Sequence, residues 1–358
     1  MRIEDIDKNF KPTSACGEEN VVFVDCLKSP IKLYGVIPPE NDRNYFVRLP
    51  EDIAKNTNEG VAVFNYHTAG GRIKFKTDSN YIVIRAKLHN LGKMPHFALT
   101  GSVGFDLYKN KGGEDIFVGS FFPPFDITDG YESLIYVGEN TLTEYTINFP
   151  LYTGVVKLEV GLRSDAVLSE ASEYQITTPV VYYGSSITQG GCASRPGNSY
   201  QGIISRKLNC DHINLGFSGS ARGEDIICDY ISGLNISAFV LDYDHNAPTS
   251  EHLQSTHEKF FSRIREKNPD LPIIMLSRPK LRLTEDEIRR RDIVKATYEN
   301  AVAKGDKNVY FIDGSDIFKI FGGDSCTVDD CHPNDLGFMC MAEILIPYLR
   351  KVLYKTED

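Results

Sequence analysis

Val180-Val181-Tyr182-Tyr183-Gly184-Ser185-Ser186-Ile187-Thr188-Gln189-Gly190 runs four apolar and aromatic residues into a serine turn bounded by glycine. A short apolar run without alternation is the pattern of a strand covered on both faces. Glycine-flanked serine immediately after it places Ser186 just beyond the end of that strand, where the backbone can turn sharply.

The same grammar continues downstream. Apolar strands are expected at 180–183, 212–215, 238–242, 272–276 and 309–312, with amphipathic helices at 200–208, 251–267, 285–303 and 335–353. Alternating strands and helices imply a parallel sheet covered on both sides. In such sheets reactive groups collect beyond the carboxyl ends of the strands. Ser186 follows the first strand, Gly216 to Gly219 the second, and Asp242 to Asn246 the third, so all three are expected at one sheet edge.

Upstream the pattern differs. Short β-branched or alternating runs at 73–76, 81–86, 97–99, 104–108, 116–118, 145–149 and 155–160 are separated by turn residues such as Lys111-Gly112-Gly113-Glu114. No helix-period segment interrupts them. Many short strands with regular turns predict an all-β sandwich of jelly-roll type over residues 1–165. The polar stretch 166–178 reads as a linker, and residues 179–358 as the second domain.

A serine hydroxyl needs a base to take its proton, and a histidine base needs a third group to fix its tautomer and stabilise its charge. Asp329-Asp330-Cys331-His332-Pro333-Asn334 offers that base in His332, at a helix entry. Asp329 stands three residues before it, a spacing at which a turn brings a carboxylate back to the ring. Asp330 is the adjacent rival, and Asp313 a more distant one. Acyl transfer also needs donors aimed at a developing oxyanion. The backbone N–H of Ser186, that of Gly219 and the side chain of Asn246 are the candidates. Arg195, Tyr200, Arg222, His245 and Arg278 fall near the strand ends and are candidate substrate contacts.

Composition narrows the function. Hydrophobic content of 41% over 358 residues supplies material for two cores. A net charge of -10, with no basic stripe, excludes a nucleic-acid-binding surface. No apolar run reaches membrane-spanning length. The polar, acidic start Met1-Arg2-Ile3-Glu4-Asp5-Ile6-Asp7-Lys8 lacks the apolar core of a secretory signal, so a cytoplasmic location is expected. The eight cysteines, Cys16 among them, include no Cys-x-x-Cys pair and are expected to be free thiols. Cys326, Cys331 and His332 resemble metal ligands but lack a fourth nearby, so no metal and no cofactor are expected.

Gly184-Ser185-Ser186-Ile187, the Gly219 loop, Asn246 and Asp329-x-x-His332 together resemble the four sequence blocks of the SGNH (GDSL-type) hydrolases. Gly104-Phe105-Asp106-Leu107-Tyr108 upstream resembles the signature of the group that joins a GxDLY jelly-roll domain to that catalytic domain. The resemblance implies an α/β flavodoxin-like fold for residues 179–358. It implies Ser186 as nucleophile, Asp329 and His332 as its partners, and Ser186, Gly219 and Asn246 as the oxyanion hole. It also implies an esterase that removes a small acyl group, acetyl by expectation, from a carbohydrate or glycoside hydroxyl. An acyltransferase using the same residues and a non-catalytic glycan-binding protein are the alternatives. The sequence departs from the family at Ser185, where aspartate is usual, and in Asp244-His245-Asn246-Ala247, which lacks the usual glycine and final aspartate.

Overall fold

The computed structural model describes residues 3–7, 18, 20–138 and 140–355. Cys16, and Met1, Arg2 and Lys8 of the N-terminal segment read as non-secretory, lie outside the described residues.

Among the described residues the N-terminal region contains ten strands: β1 Val21–Asp25, β2 Lys32–Tyr34, β3 Arg72–Thr77, β4 Tyr81–His89, β5 Phe105–Lys111, β6 Glu114–Phe121, β7 Gly130–Tyr136, β8 Thr143–Asn148, β9 Gly154–Arg163 and β10 Leu168–Ser169. One sheet has the order β1-β9-β4-β7, and the other β10-β3-β8-β5-β6 with β2 paired to β3. All pairings are antiparallel. Apart from the β2–β3 and β5–β6 pairs, successive strands cross between the two sheets in the jelly-roll order. Alternation fills the space between them: Ile82, Ile84, Ala86 and Leu88 of β4 meet Phe105 and Leu107 of β5 and Tyr145 and Ile147 of β8.

The C-terminal region is a parallel sheet of β11 Ile176–Gly184, β12 Cys210–Gly216, β13 Ala238–Asp242, β14 Ile273–Leu276 and β15 Val309–Ile312, in the order β12-β11-β13-β14-β15. Both faces are covered, which explains the unbroken apolar runs. Val180 and Tyr182 face one core with Ala238 and Val240. Val181 and Tyr183 face the other with Phe239 and Leu241. The helices Tyr200–Leu208, Ser250–Lys267, Glu285–Ala303 and Asp335–Tyr354 cover the sheet close to where the periodicity places them.

Several local expectations are corrected. Two helices, Glu51–Thr57 and Glu59–Phe64, do interrupt the β-rich half. Each is too short to display a helical period. Asn58 separates them by accepting a hydrogen bond from Val61 N at 2.9 Å. Residues 97–99 form no strand; a helix, Leu99–Ser102, begins there. Strands β1, β2 and β7 and the helix Asp225–Ser232 were not expected either, although Val21-Val22-Phe23-Val24 is an apolar β-branched run of the kind that marks a strand. The stretch 166–178 is not slack. β10 pairs with β3, Tyr174 OH accepts from Arg72 Nε at 2.8 Å, and Ile176 already belongs to β11.

The two regions share their cores. Leu49, Ala54 and Val61 pack beneath the parallel sheet, and Phe97, Leu151 and Tyr152 pack on its other side. Buried Arg48 reaches from the N-terminal region to the carboxyl end of β12, donating to Asn214 O at 3.2 Å and Gly216 O at 2.5 Å. It also lies 4.4 Å over the Phe217 ring. That face carries the site.

Candidate active site

Ser186 opens a four-residue helix, Ser186–Gln189, directly after β11. Ser185 caps this helix, its Oγ accepting from Ile187 N at 3.2 Å. Serine thus fills the capping role for which aspartate is equally suited, so the departure at this position leaves the turn intact. Gly184 is required by crowding, since a Cβ there would lie 2.0 Å from Asp242 O. Gly190 ends the helix at φ 102°, a left-handed conformation that favours glycine.

His332 arrives from a loop 146 residues later, and its Nε2 lies 2.9 Å from Ser186 Oγ. Its Nδ1 lies 2.8 Å from Asp329 Oδ2. Asp329 Oδ1 also accepts from Cys331 N at 3.1 Å and His332 N at 2.7 Å. Burial pushes the Asp329 carboxyl up, but its bonds to His332 and to these backbone donors outweigh that and hold it below the usual carboxylate value. Asp330 turns away at φ 62° and pairs with Lys280 at 3.1 Å. Asp313 caps another helix through Ser315 N at 2.9 Å. Of the three acids weighed from sequence, only Asp329 contacts the histidine ring.

Hydrogen bonds link the loops of the three candidate oxyanion donors to the serine turn. Its own N–H belongs to the first turn of a helix, where backbone donors lack intrahelical partners. Gly219 sits at φ 63°, and a Cβ there would point into open space. Asn246 Nδ2 donates one hydrogen to Phe217 O at 2.9 Å, tying its loop to the Gly219 loop. Gln189 ties the same loop to the serine turn, its Oε1 accepting from Ser218 N at 3.0 Å.

The predicted substrate contacts fare differently. Arg195 does not face the serine. It binds Asp106 Oδ2 at 3.3 Å and the Tyr108 hydroxyl, and so serves the contact between the regions. Tyr200 is fully buried, packed edge-on against Tyr182 and stacked near Phe338. Arg278 is engaged by Glu287 and by His245 O at 3.4 Å. Arg222 is exposed and reaches back to Gly219 O at 3.2 Å. His245 lies against the loop of His332, with Nδ1 3.9 Å from Cys331 Sγ. Burial and neighbouring Arg278 hold its pKa well below the ordinary histidine value. The imagined Cys326–Cys331–His332 metal group is not assembled. Cys326 is buried against Cys340, the two sulfurs 3.9 Å apart.

Sequence reasoning missed the N-terminal region's share of the site. Tyr152 OH donates to Ser186 O at 3.2 Å. The His96 ring lies 6.0 Å from that of His332. His67 Nδ1 accepts from Gln189 Nε2 at 3.1 Å. These residues carry no motif signal, because the fold alone brings the jelly roll's edge to the serine turn. Only the GxDLY motif hinted at this role. Asp106, fully buried, accepts from Asn148 Nδ2 and Gly197 N, each at 2.8 Å, and so clamps the loop behind the serine.

Residues 177–350 match the family model of the GDSL-like lipases/acylhydrolases. Residues 21–168 match the GxDLY model, the N-terminus of SGNH hydrolase-type esterases. No curated protein matches the chain. Among solved structures, one described as a GDSL-like lipase from Bacteroides ovatus ATCC 8483 is similar with TM-score 0.83 and 28% identity, covering 94% of this chain and 98% of that one. The salicylyl-acyltransferase SsfX3 of a tetracycline biosynthetic pathway is similar with TM-score 0.75 and 19% identity, covering 94% and 97%. A family two carbohydrate esterase from Clostridium thermocellum shares the fold with TM-score 0.59 and 15% identity, covering 94% and 99%. With both family models matched along their own halves of the chain, and with the fold shared end to end, the chain belongs to the SGNH (GDSL-type) hydrolases that carry an N-terminal GxDLY domain.

Proposed function

We propose that this hydrolase is a serine esterase that removes a small acyl group, acetyl first among them, from a hydroxyl of a carbohydrate or glycoside. The observation that carries the reading is the hydrogen-bonded chain Ser186 Oγ, His332 and Asp329, at 2.9 and 2.8 Å. Ser186 Oγ attacks the ester carbonyl carbon while His332 Nε2 takes its proton, and ionised Asp329 stabilises the imidazolium. The carbonyl oxygen becomes an oxyanion held by Ser186 N–H, Gly219 N–H and Asn246 Nδ2. Collapse expels the alcohol, which receives the proton from His332. Water, activated by the same histidine, then releases the acid from Ser186.

Ser186 is only 9% exposed, which favours a short acyl chain over a long one. The carbohydrate acceptor is favoured by the shared fold of the family two carbohydrate esterases. The test is kcat/KM on acetylated sugars and on the same sugars with longer acyl chains. Acetyl esters should be turned over fastest. Faster turnover of long acyl chains would reject the small-acyl reading. Acyl transfer to an added alcohol that outpaces hydrolysis would instead identify an acyltransferase, the activity of SsfX3.

Hydrolysis by this route uses a histidine for proton transfer and backbone and side-chain donors for charge, so activity should survive exhaustive chelation. Its loss on chelation, with a stoichiometric metal released, would reject the mechanism.

A further inference from the structure

Around His332 a second set of donors converges that ester hydrolysis does not use. His96 is exposed on the N-terminal region's loop and faces the His332 ring, the centroids 6.0 Å apart. Cys192 is 7% exposed and follows Gly190-Gly191 at φ 77°, a rare conformation for a side-chain-bearing residue. One ligand atom each from His96, Cys192 and His332 lies within 4.8 Å of the other two.

The chemistry of this set is that of zinc. Two imidazoles and a thiolate are preferred zinc ligands, with Zn–N about 2.0–2.1 Å and Zn–S about 2.3 Å in a tetrahedral shell. Those bond lengths place neighbouring ligand atoms roughly 3.3–3.7 Å apart, so the three donors need to close by about 1 Å. The exposed His96 side chain can supply that movement. His332 Nδ1 is bonded to Asp329 at 2.8 Å, which leaves Nε2 as the nitrogen facing the set. A carboxylate on the far nitrogen is also the usual support of a zinc-ligating histidine. The hydroxyl of Ser186, 2.9 Å from Nε2, or a water stands ready as the fourth ligand.

We propose that His96, Cys192 and His332 form a reversible site for Zn²⁺ and that occupancy of this site inhibits the hydrolase. The metal takes the Nε2 lone pair that would otherwise accept the Ser186 proton. Binding forms two Zn–N bonds and one Zn–S bond, and the Cys192 thiol proton leaves to solvent; nothing is oxidised or reduced. The inhibitory consequence rests on the proposed role of His332, whereas the site itself does not.

The test uses the full chain, stripped with chelator, with Co²⁺ as the spectroscopic probe and Zn²⁺ as the inhibitor. Co²⁺ should give a tetrahedral spectrum with a thiolate-to-metal charge-transfer band in the unaltered protein, in Ser186→Ala and in Cys331→Ser. Cys331→Ser is the control because Cys331 and His245 form the neighbouring thiol–imidazole pair. The band should vanish in Cys192→Ser, and His96→Ala should weaken binding at least about tenfold. Zn²⁺ should inhibit ester hydrolysis, and chelator should restore it. Inhibition of Cys192→Ser and His96→Ala, each measured against its own metal-free rate, should need at least about tenfold more Zn²⁺. Absence of the band from the unaltered protein, or its persistence in folded Cys192→Ser, would overturn the site and leave the esterase reading standing. A bound metal that spares hydrolysis would overturn the inhibition and count against His332 as the base.

Discussion

Asp329 and Asp330 are adjacent and alike in chemistry, yet the chain gives them opposite tasks. The left-handed backbone at Asp330 turns its side chain outward to Lys280, while Asp329 accepts from the ring and from two backbone N–H groups. Asp329→Asn should lower kcat on the order of 10⁴-fold, because the amide no longer stabilises the imidazolium and favours the wrong tautomer. Asp330→Asn should change it by no more than about fivefold, the worth of an exposed ion pair. Steady-state kinetics on both variants decides the matter; comparable losses would reverse the assignment. Ser186→Ala should retain the fold, checked by circular dichroism, and lose on the order of 10⁵–10⁶-fold in kcat. Substantial remaining turnover by that variant would rule out the serine mechanism.

At the scale of elements, the loop behind the serine helix is held by β5. Asp106 of that strand is fully buried and accepts from Asn148, Gly197 and Arg195 at 2.8, 2.8 and 3.3 Å. Asp106→Ala removes all three acceptor contacts and strands the Arg195 charge, which should cost about 3–5 kcal/mol. Urea unfolding would measure this, and Asp106→Asn, which keeps one acceptor oxygen, should lose less. A cost below about 1 kcal/mol would mean that the clamp is not a stabilising feature. Arg195 was expected at the substrate and Tyr200 with it. Nearness to a strand end in sequence put them there, but the buried carboxylate on β5 and the packing against Tyr182 decide where their side chains lie.

At the scale of the whole molecule, buried histidines make stability depend on acid. His67 and His257 are pushed down to about 3 by burial, and His212 well below its ordinary value for the same reason. Below the unfolded value of about 6.5 the unfolded chain binds protons that the native chain does not, so stability present above that pH is lost as the pH falls. With His245 held low in the same way, four such groups contribute up to roughly 5 kcal/mol per pH unit below about pH 5.5; the carboxyls of Asp106, Asp242 and Asp244, raised by burial, act against them, so the net slope is smaller but of the same sign. Urea midpoints at pH 7.5, 5.5 and 4.5 test it, and a flat profile would contradict it. The shared cores lead to a further expectation. A fragment beginning at residue 177 would expose the surfaces now covered by Leu49, Val61, Phe97, Leu151 and Tyr152, so it should not unfold cooperatively. A sharp unfolding transition from that fragment would show that the C-terminal region stands alone.

The sequence by itself determined the two architectures and the order of the reactive groups. Apolar periodicity distinguishes a sheet buried on both faces, as at 180–183, from a sandwich buried on one. Strand-end position then brings Ser186, Gly219 and Asn246 to one edge, and the three-residue spacing of Asp329 and His332 is a local turn that short-range sterics can close. What only the tertiary structure decided depends on contacts between distant segments. The short helices at 51–64 are held by burial under the parallel sheet rather than by helix propensity. Tyr152, His67 and His96 reach the serine turn because a jelly-roll edge docks there, and their own neighbours in sequence give no sign of it. Arg195 and Tyr200 are held by buried partners instead, since an unpaired charge or hydroxyl inside the protein costs more than any single surface contact returns.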